Sequence, residues 1–363
     1  MNEPERILIV KLSSIGDVVQ SLPVAAALRR RFPSGYLAWA VEPAAADVLI
    51  GNPHLNDVLV IGGAPGDARP AGDARPAGDA RPAQGGARAL PLLSSPVALR
   101  RALRPLGFDI SLDLQGLLKS AAVAYLSGAR QRIGYRSLRE AAFLLNNRRI
   151  VPDRRDVHAV ESYLDFAAAL GAQREPVEFT IAISDDDRAA VDRLLDSHTD
   201  LAALIPGARW ESKLWPTDRF AAVADALAQE FGLTAVVVGG SDDAGLAREI
   251  AAGSRARVVD LTGRTTLKQA AEVFRRCRVT IGNDTGPLYL SSAMGTPTVA
   301  VFGPTDSRRL GPYGDGHAKV IAEIPCAPCR NRRCRPLKCM AMIEPTRVVA
   351  AARALLQARP VEV

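Results

Sequence analysis

Lysine is scarce in this sequence. Only six of its 46 basic residues are Lys, at positions 11, 119, 213, 268, 319 and 338, and the rest are Arg. Arg is used so freely that any one of them says little about function, whereas a Lys in a loop carries information. Aromatic residues are also few, at 5%, and no basic stripe interleaves with them, so the pattern of a nucleic-acid binder is missing. No apolar run approaches the roughly 18–20 residues that span a bilayer. Met1–Arg6 runs straight into Ile7–Val10 without the basic region, longer apolar stretch and cleavage site of a secretory leader, so a cytoplasmic protein is expected. There is no G-x-G-x-x-G followed about 20 residues later by an acidic ribose ligand, which counts against a Rossmann-type dinucleotide enzyme. The five Cys are too few for a disulfide scaffold and argue for metal or redox chemistry instead.

What is present suits two domains. The chain has 363 residues and is 48% hydrophobic, enough to fill two cores. Its formal charge of +7 fits an anionic partner or substrate. Apolar strand-like runs at 7–10, 36–41, 57–61 and 108–114 alternate with helical patterns, of which 18–32 and 158–170 are the clearest, the latter ending at Gly171. A second alternation begins at 201–205 and continues through 234–238, 279–281 and 298–302. Such βα alternation builds parallel sheets covered on both faces. Between the early strands, Gly-Asp-Ala-Arg-Pro-Ala occurs three times in tandem over 66–83. A period that short, with Pro and Gly in every copy, cannot pack, so a disordered surface loop is expected.

In open α/β sheets ligands bind beyond the carboxyl ends of strands, which directs attention to the strand-to-helix loops. Asn283-Asp284-Thr285-Gly286-Pro287 turns from a strand into a helix that starts with Pro. Free N–H groups, the helix dipole and close approach at Gly286 make an anion site there, although the same turn reads equally well as an ordinary N-cap. The loop 206–216 places Gly207, Arg209, Ser212 and Lys213 ahead of the next helix, and Lys213 suits a leaving diphosphate. Asp242 or Asp243, after Gly239-Gly240, reads as a ribose ligand or as a helix cap. In the first half, Lys11–Asp17 carries Ser13, Ser14, Gly16 and Asp17, the last either a cap or a general base. Asp113–Lys119, with Gln115 and Lys119, occupies the equivalent place after a later strand.

Taken in order, Lys11–Asp17, Asp113–Lys119, His158–Glu161, Lys213–Pro216 and Asp284–Pro287 resemble the ADP-heptose:lipopolysaccharide heptosyltransferases of glycosyltransferase family 9. The likeness covers nearly the whole chain except the repeat, and its N-terminal part, including Asn52-Pro53, is nearest to heptosyltransferase I. It implies a GT-B fold, two doubly wound Rossmann-like α/β domains facing a central cleft. Residues 1–178 would form the acceptor-side domain, with 66–88 a disordered insertion. Residues 179–345 would bind the nucleotide sugar, and a C-terminal helix within 346–363 would pack back on the first domain. The implied reaction is inverting transfer of L-glycero-D-manno-heptose from ADP-heptose to a Kdo–lipid A inner core, without a catalytic cofactor. Asp17 would be the base. Gly207, Ser212, Lys213, Asp243, Asp284, Thr285, Gly286 and Tyr289 would hold the donor; Ser13, Ser14, Gly16, Gln115 and Lys119 would meet the acceptor. A lipid-linked acceptor also implies peripheral contact with the inner face of the inner membrane.

The chain departs from the family pattern in two places. Tyr289 stands where the family usually has His, three residues after the Gly of the Asp-Thr-Gly turn, and a phenol is not cationic near neutral pH. Cys326, Cys329, Cys334 and Cys339 lie within 14 residues, spacing that fits a structural zinc or iron site but also free thiols or disulfides. The competing readings are a family 9 transferase with another acceptor (a second core heptose, another glycan or a protein) and a non-catalytic, metal- or redox-responsive protein.

Overall fold

The computed structural model describes residues 5–62, 86–91, 94–136, 139–151, 154, 156–196, 198–334 and 337–358. The chain divides into two compact units, Met1–Ala182 and Ile183–Val363. In the first unit the order is β1 (Arg6–Val10), α1 (Ile15–Arg31), β2 (Tyr36–Val41), α2 (Pro43–Ala46), β3 (Asp57–Ile61) and β4 (Gly86–Leu90). It continues through α3 (Pro96–Leu103), β5 (Ile110–Asp113), α4 (Leu118–Leu126), β6 (Gln131–Tyr135), β7 (Arg148–Val151) and α5 (Ala159–Ala168). The seven strands are parallel, in the order β4-β3-β2-β1-β5-β6-β7. Because strands buried on both faces need apolar residues at every position, β1, β2 and β3 read as continuous runs and not as alternation.

The second unit runs α6 (Asp185–Leu195), β8 (Leu201–Ile205), α7 (Thr217–Phe231), β9 (Thr234–Val237), α8 (Ala244–Gly253) and β10 (Val258–Asp260). It ends with α9 (Leu267–Arg276), β11 (Cys277–Asn283), α10 (Gly286–Ala293), β12 (Thr298–Phe302), β13 (His317–Ile321), α11 (Lys338–Ala341) and α12 (Pro345–Ala358). Its six strands, again parallel, are ordered β10-β9-β8-β11-β12-β13. Each sheet therefore grows in one direction, then restarts beside its first strand and grows in the other. The reversals fall between β1 and β5 and between β8 and β11, where neighbouring loops diverge and leave a crevice at the carboxyl edge. Doubly wound α/β architecture is what the sequence led one to expect.

Two expectations need correction. Residues 86–88 were assigned to a disordered insertion, but they open β4, which pairs along its length with β3; the repeat at 66–83 lies outside the described residues. The C-terminal helix was expected against the first domain. Instead α12 lies on its own unit, because Val348, Val349, Ala352 and Leu356 form a stripe that closes the core over α7 and β11–β13. Trp215 anchors that closure. It is 2% exposed, meets Phe220 edge-to-face at 5.0 Å, and donates its indole N–H to the Ile343 carbonyl at 3.0 Å. Trp215→Ala should destabilise the protein by about 3–5 kcal/mol, the range for emptying a buried aromatic site, measured by urea unfolding. A change within experimental scatter would show that α12 is held by something else.

Candidate active site

In the first unit, the loops at the β1/β5 reversal supply the chemistry. Ser14 caps α1 and Asp17 is the third residue of its first turn, so the carboxylate reaches back to accept from the Ser14 N–H at 3.3 Å and hydroxyl at 2.8 Å. Its other oxygen accepts from the Tyr163 hydroxyl at 2.9 Å and lies 3.6 Å from the Lys11 ammonium. Burial pushes the Asp17 carboxyl up, but Lys11 and the Ser14 and Tyr163 hydrogen bonds outweigh it and leave it below the usual carboxylate range. The side chain nevertheless keeps 39% of its surface open. Asp17 is thus both a cap and an oriented, ionised, reachable carboxylate.

Beside it, Gln115 spends its carbonyl on the Leu12 and Ser13 N–H groups, at 2.8 and 3.2 Å, and so fixes the loop that carries Ser13 and Ser14. Gly116 has φ +66°, and a Cβ there would meet the Tyr135 ring at 2.8 Å, so only Gly makes this turn. Lys119 is expected to meet the acceptor's anions. In the structure it pairs with Glu42 at 2.8 Å and touches the Ser13 hydroxyl at 3.2 Å, because Glu42 leaves the adjacent strand β2 at the same edge. Gly16 is buried within the first turn of α1 and offers no side chain. Glu42 and Tyr163 were not singled out from the sequence. Tyr163 lies two residues beyond the His158–Glu161 motif, on the helix that packs against α1.

In the second unit, the β8/β11 reversal is built around Asp284, which is 3% exposed. It accepts from the Lys213 ammonium at 2.7 Å, from the Thr305 hydroxyl at 2.7 Å and from the Tyr289 hydroxyl. Lys213 also donates to the Asp284 carbonyl at 3.1 Å, and its ammonium lies 4.6 Å from the centre of the Trp210 ring. Asn283 ties the two loops together, donating to the Pro206 carbonyl at 2.6 Å and accepting from the Trp215 N–H at 3.2 Å. Thr285 caps α10 without a side-chain capping bond, and its hydroxyl is not used on the helix. Ser212 is buried, and its hydroxyl has no partner among the described residues. A buried hydroxyl without a partner is costly unless a ligand completes it.

Asp243 accepts from the Gly240 N–H at 2.9 Å. Burial and the charge of Asp242 raise its carboxyl above the usual range, partly offset by that bond. A Cβ on Gly207 would lie 2.3 Å from this carboxylate, so Gly207 is where the β8 loop lets Asp243 approach. Tyr289 was expected to contact the donor in place of His. The structure turns it inward, 7% exposed, with its hydroxyl committed to Asp284. Thr305 and Trp210 escaped sequence reasoning. Thr305 follows β12 as a further carboxyl-edge loop, and only the strand order puts it beside Asp284.

The metal site expected at the cysteines finds no support among the described residues. Cys326 and Cys329 are exposed, Cys334 is half-buried, and Cys339 is buried on the inner side of α11 against Gly303. Burial, together with the neighbouring Cys329, Cys334 and Cys326, pushes the Cys339 thiol up. Among the described residues no three His, Cys, Asp or Glu are grouped to hold a metal.

Comparison with known proteins agrees with this fold. The family described as Glycosyltransferase family 9 (heptosyltransferase) matches residues 97–340. Lipopolysaccharide heptosyltransferase 1 of Pseudomonas aeruginosa is 27% identical over 334 residues, spanning 91% of this chain and 87% of that protein. A solved family 9 glycosyl transferase from Veillonella parvula superposes with a TM-score of 0.79 at 21% identity, covering 98% of each chain. The ADP-heptose lps heptosyltransferase II of E. coli gives a TM-score of 0.76 at 21% identity, covering 97% of this chain and 99% of that one. These likenesses show the GT-B fold.

The geometry around Asp17 makes a prediction free of any substrate. Lys11→Met removes the nearest positive charge, so Asp17 should take up its proton at a higher pH than in the native protein. A carboxyl-carbon NMR titration reads this directly. A midpoint that does not move would show that Lys11 is not what holds the carboxyl down.

Proposed function

The chain belongs to glycosyltransferase family 9, and from that premise we propose that it moves L-glycero-D-manno-heptose from ADP-heptose to a Kdo–lipid A inner core with inversion. The observation that carries this reading is Asp17, ionised, aimed by Tyr163 and Ser14, and still open to a substrate hydroxyl. Inverting transfer is a single displacement. The acceptor oxygen bonds to the anomeric carbon as the bond from that carbon to the ADP oxygen breaks; the acceptor proton goes to Asp17, and the electron pair leaves with ADP. The base belongs on the acceptor side and charge stabilisation on the leaving-group side.

For the second role, Lys213, the Thr285 hydroxyl and the N–H groups opening α10 form a positive corner suited to a diphosphate. Gly207, Gly286 and the unpartnered Ser212 hydroxyl would line it, with Asp243 toward the ribose. Asp284 would act one step back, by fixing Lys213, and Tyr289 by fixing Asp284. Ser13, Ser14 and Gly16 would border the acceptor hydroxyl, while Gln115 and Lys119 would hold that border in shape. No step in this scheme uses a cofactor. A second core heptose is the alternative acceptor. Cytoplasmic work on a lipid-linked acceptor would require peripheral contact with the inner membrane. Among the described residues no helix is long and apolar enough to cross one.

Two variants assayed side by side test these roles. Asp17→Ala should cut turnover by about 10²–10⁴-fold, the usual worth of a general base, and leave ADP affinity unchanged. Lys213→Ala should weaken ADP binding by tenfold or more, since a hydrogen bond to a charged group contributes about 1.5–3 kcal/mol. Wild-type turnover in the first would reduce Asp17 to a helix cap. Unchanged ADP affinity by calorimetry in the second would remove Lys213 from the donor site.

A further inference from the structure

The protein's net charge is not spread over its surface. Residues 96–151 contain ten basic residues and three acidic ones, a net of +7 that equals the formal charge of the entire chain. Two of the three acids are not free to neutralise it. Asp113 is buried, and Asp109 accepts from the Glu5 and Arg6 N–H groups. The basic residues are freer. Among the described residues, Arg100, Arg101, Arg104, Arg130 and Arg136 take part in no ion pair.

The same segment is unusually apolar at its surface. Of the six large hydrophobic side chains that stand exposed among the described residues, four are here: Val97 on α3, Leu118 and Tyr125 on α4, and Leu144 in the turn Arg139–Leu144. These pieces adjoin, α3 packing beside α4 and α4 beside that turn. On α3 the division is by helical spacing. Leu99 and Leu103 point into the core, while Val97, Arg100, Arg101 and Arg104 line one shallow hollow on the outside. Tyr125 stands 45% exposed with the Arg132 guanidinium 5.4 Å from its ring centre.

We propose that this α3–α4 face of the first unit is a docking surface for a bilayer carrying anionic lipids. Charge complementarity selects the partner. Unpaired Arg side chains attract phosphate headgroups, and isolated apolar side chains with an amphipathic Tyr among them suit the headgroup–acyl boundary. The unpaired Arg side chains single out an anionic partner, and a nucleic-acid groove would carry stacked aromatics, whereas among the described residues of this face Tyr125 alone is an exposed aromatic. The inference deepens the lipid-acceptor reading by giving the membrane contact a place, and its test contains no acceptor, so docking and transfer fail independently.

Full-length protein is floated with vesicles of phosphatidylcholine alone and of phosphatidylcholine mixed with phosphatidylglycerol. It should bind only the mixed vesicles, and release near 1 M salt, where the screening length falls to about 3 Å. Arg100→Gln/Arg101→Gln/Arg104→Gln should weaken that binding on the order of a hundredfold, from the worth of each basic residue at an anionic surface. The same variant should turn over a detergent-dispersed acceptor like the native protein and keep its thermal midpoint. Val97→Ser/Leu144→Ser should weaken binding with every charge in place. A control, Arg248→Gln/Arg257→Gln/Arg264→Gln, should bind as the native protein does. Equal loss in the control, native affinity in the α3 variant, or wild-type protein that ignores anionic vesicles but retards a nucleic-acid duplex would each overturn the proposal.

Discussion

A buried carboxylate must be satisfied, and the second unit is organised around satisfying Asp284. Its oxygens receive Lys213, Thr305 and Tyr289, which come from the loop after β8, the loop after β12 and the helix α10. With Lys213 at 15% side-chain exposure and Asp284 at 3%, removing one partner would strand a charge at a cost of about 3–5 kcal/mol. The pair therefore holds an ammonium beside the turn that opens α10. The sheet order makes this possible, since β8 and β11 are neighbours only because the strand sequence reverses there.

The first unit solves the same problem in the opposite direction. Asp17 is kept ionised by Lys11, Ser14 and Tyr163 yet left partly open, whereas Asp284 is closed off entirely. One carboxylate is reachable and the other is structural, although both sit just past a strand at a topological reversal. That contrast separates a group able to receive a proton from a group that positions a cation. It also accounts for Tyr289, whose phenol cannot supply the positive charge of a His but can complete Asp284.

Much of this was legible in the sequence. Continuous apolar runs marked the central strands, and Pro287 after Gly286 marked the start of α10. The elements that escaped notice share a physical cause. The edge strand β13 has polar and intermediate positions along its length, and β4 likewise is only partly buried, so neither looks like a buried parallel strand. Helix α6 is polar on most of its surface, and its one clear sign was the Ser184–Asp187 capping box. The site showed the same limit. Lys11–Asp17 and Asp284–Gly286 announce themselves because one loop carries several chemical groups. Glu42, Tyr163 and Thr305 act singly, from loops and a helix far away in sequence, and only strand order brings them in. The Glu42 partner of Lys119 was hidden for the same reason, since it is 77 residues away.

The cysteines teach the converse. Tight spacing in sequence suggested a ligand set, but among the described residues no three such groups are placed to hold a metal, and these thiols range from exposed to buried. The proposed function therefore rests on the two carboxylates and the lysine beside one of them. The most direct test of that account is release of nucleoside diphosphate by the purified protein, with Kdo–lipid A as acceptor and a panel of ADP-, UDP- and GDP-sugars as donors. ADP-heptose should be the donor consumed, with ADP released in step with acceptor glycosylation. Consumption of a UDP- or GDP-sugar with ADP-heptose left intact would contradict it.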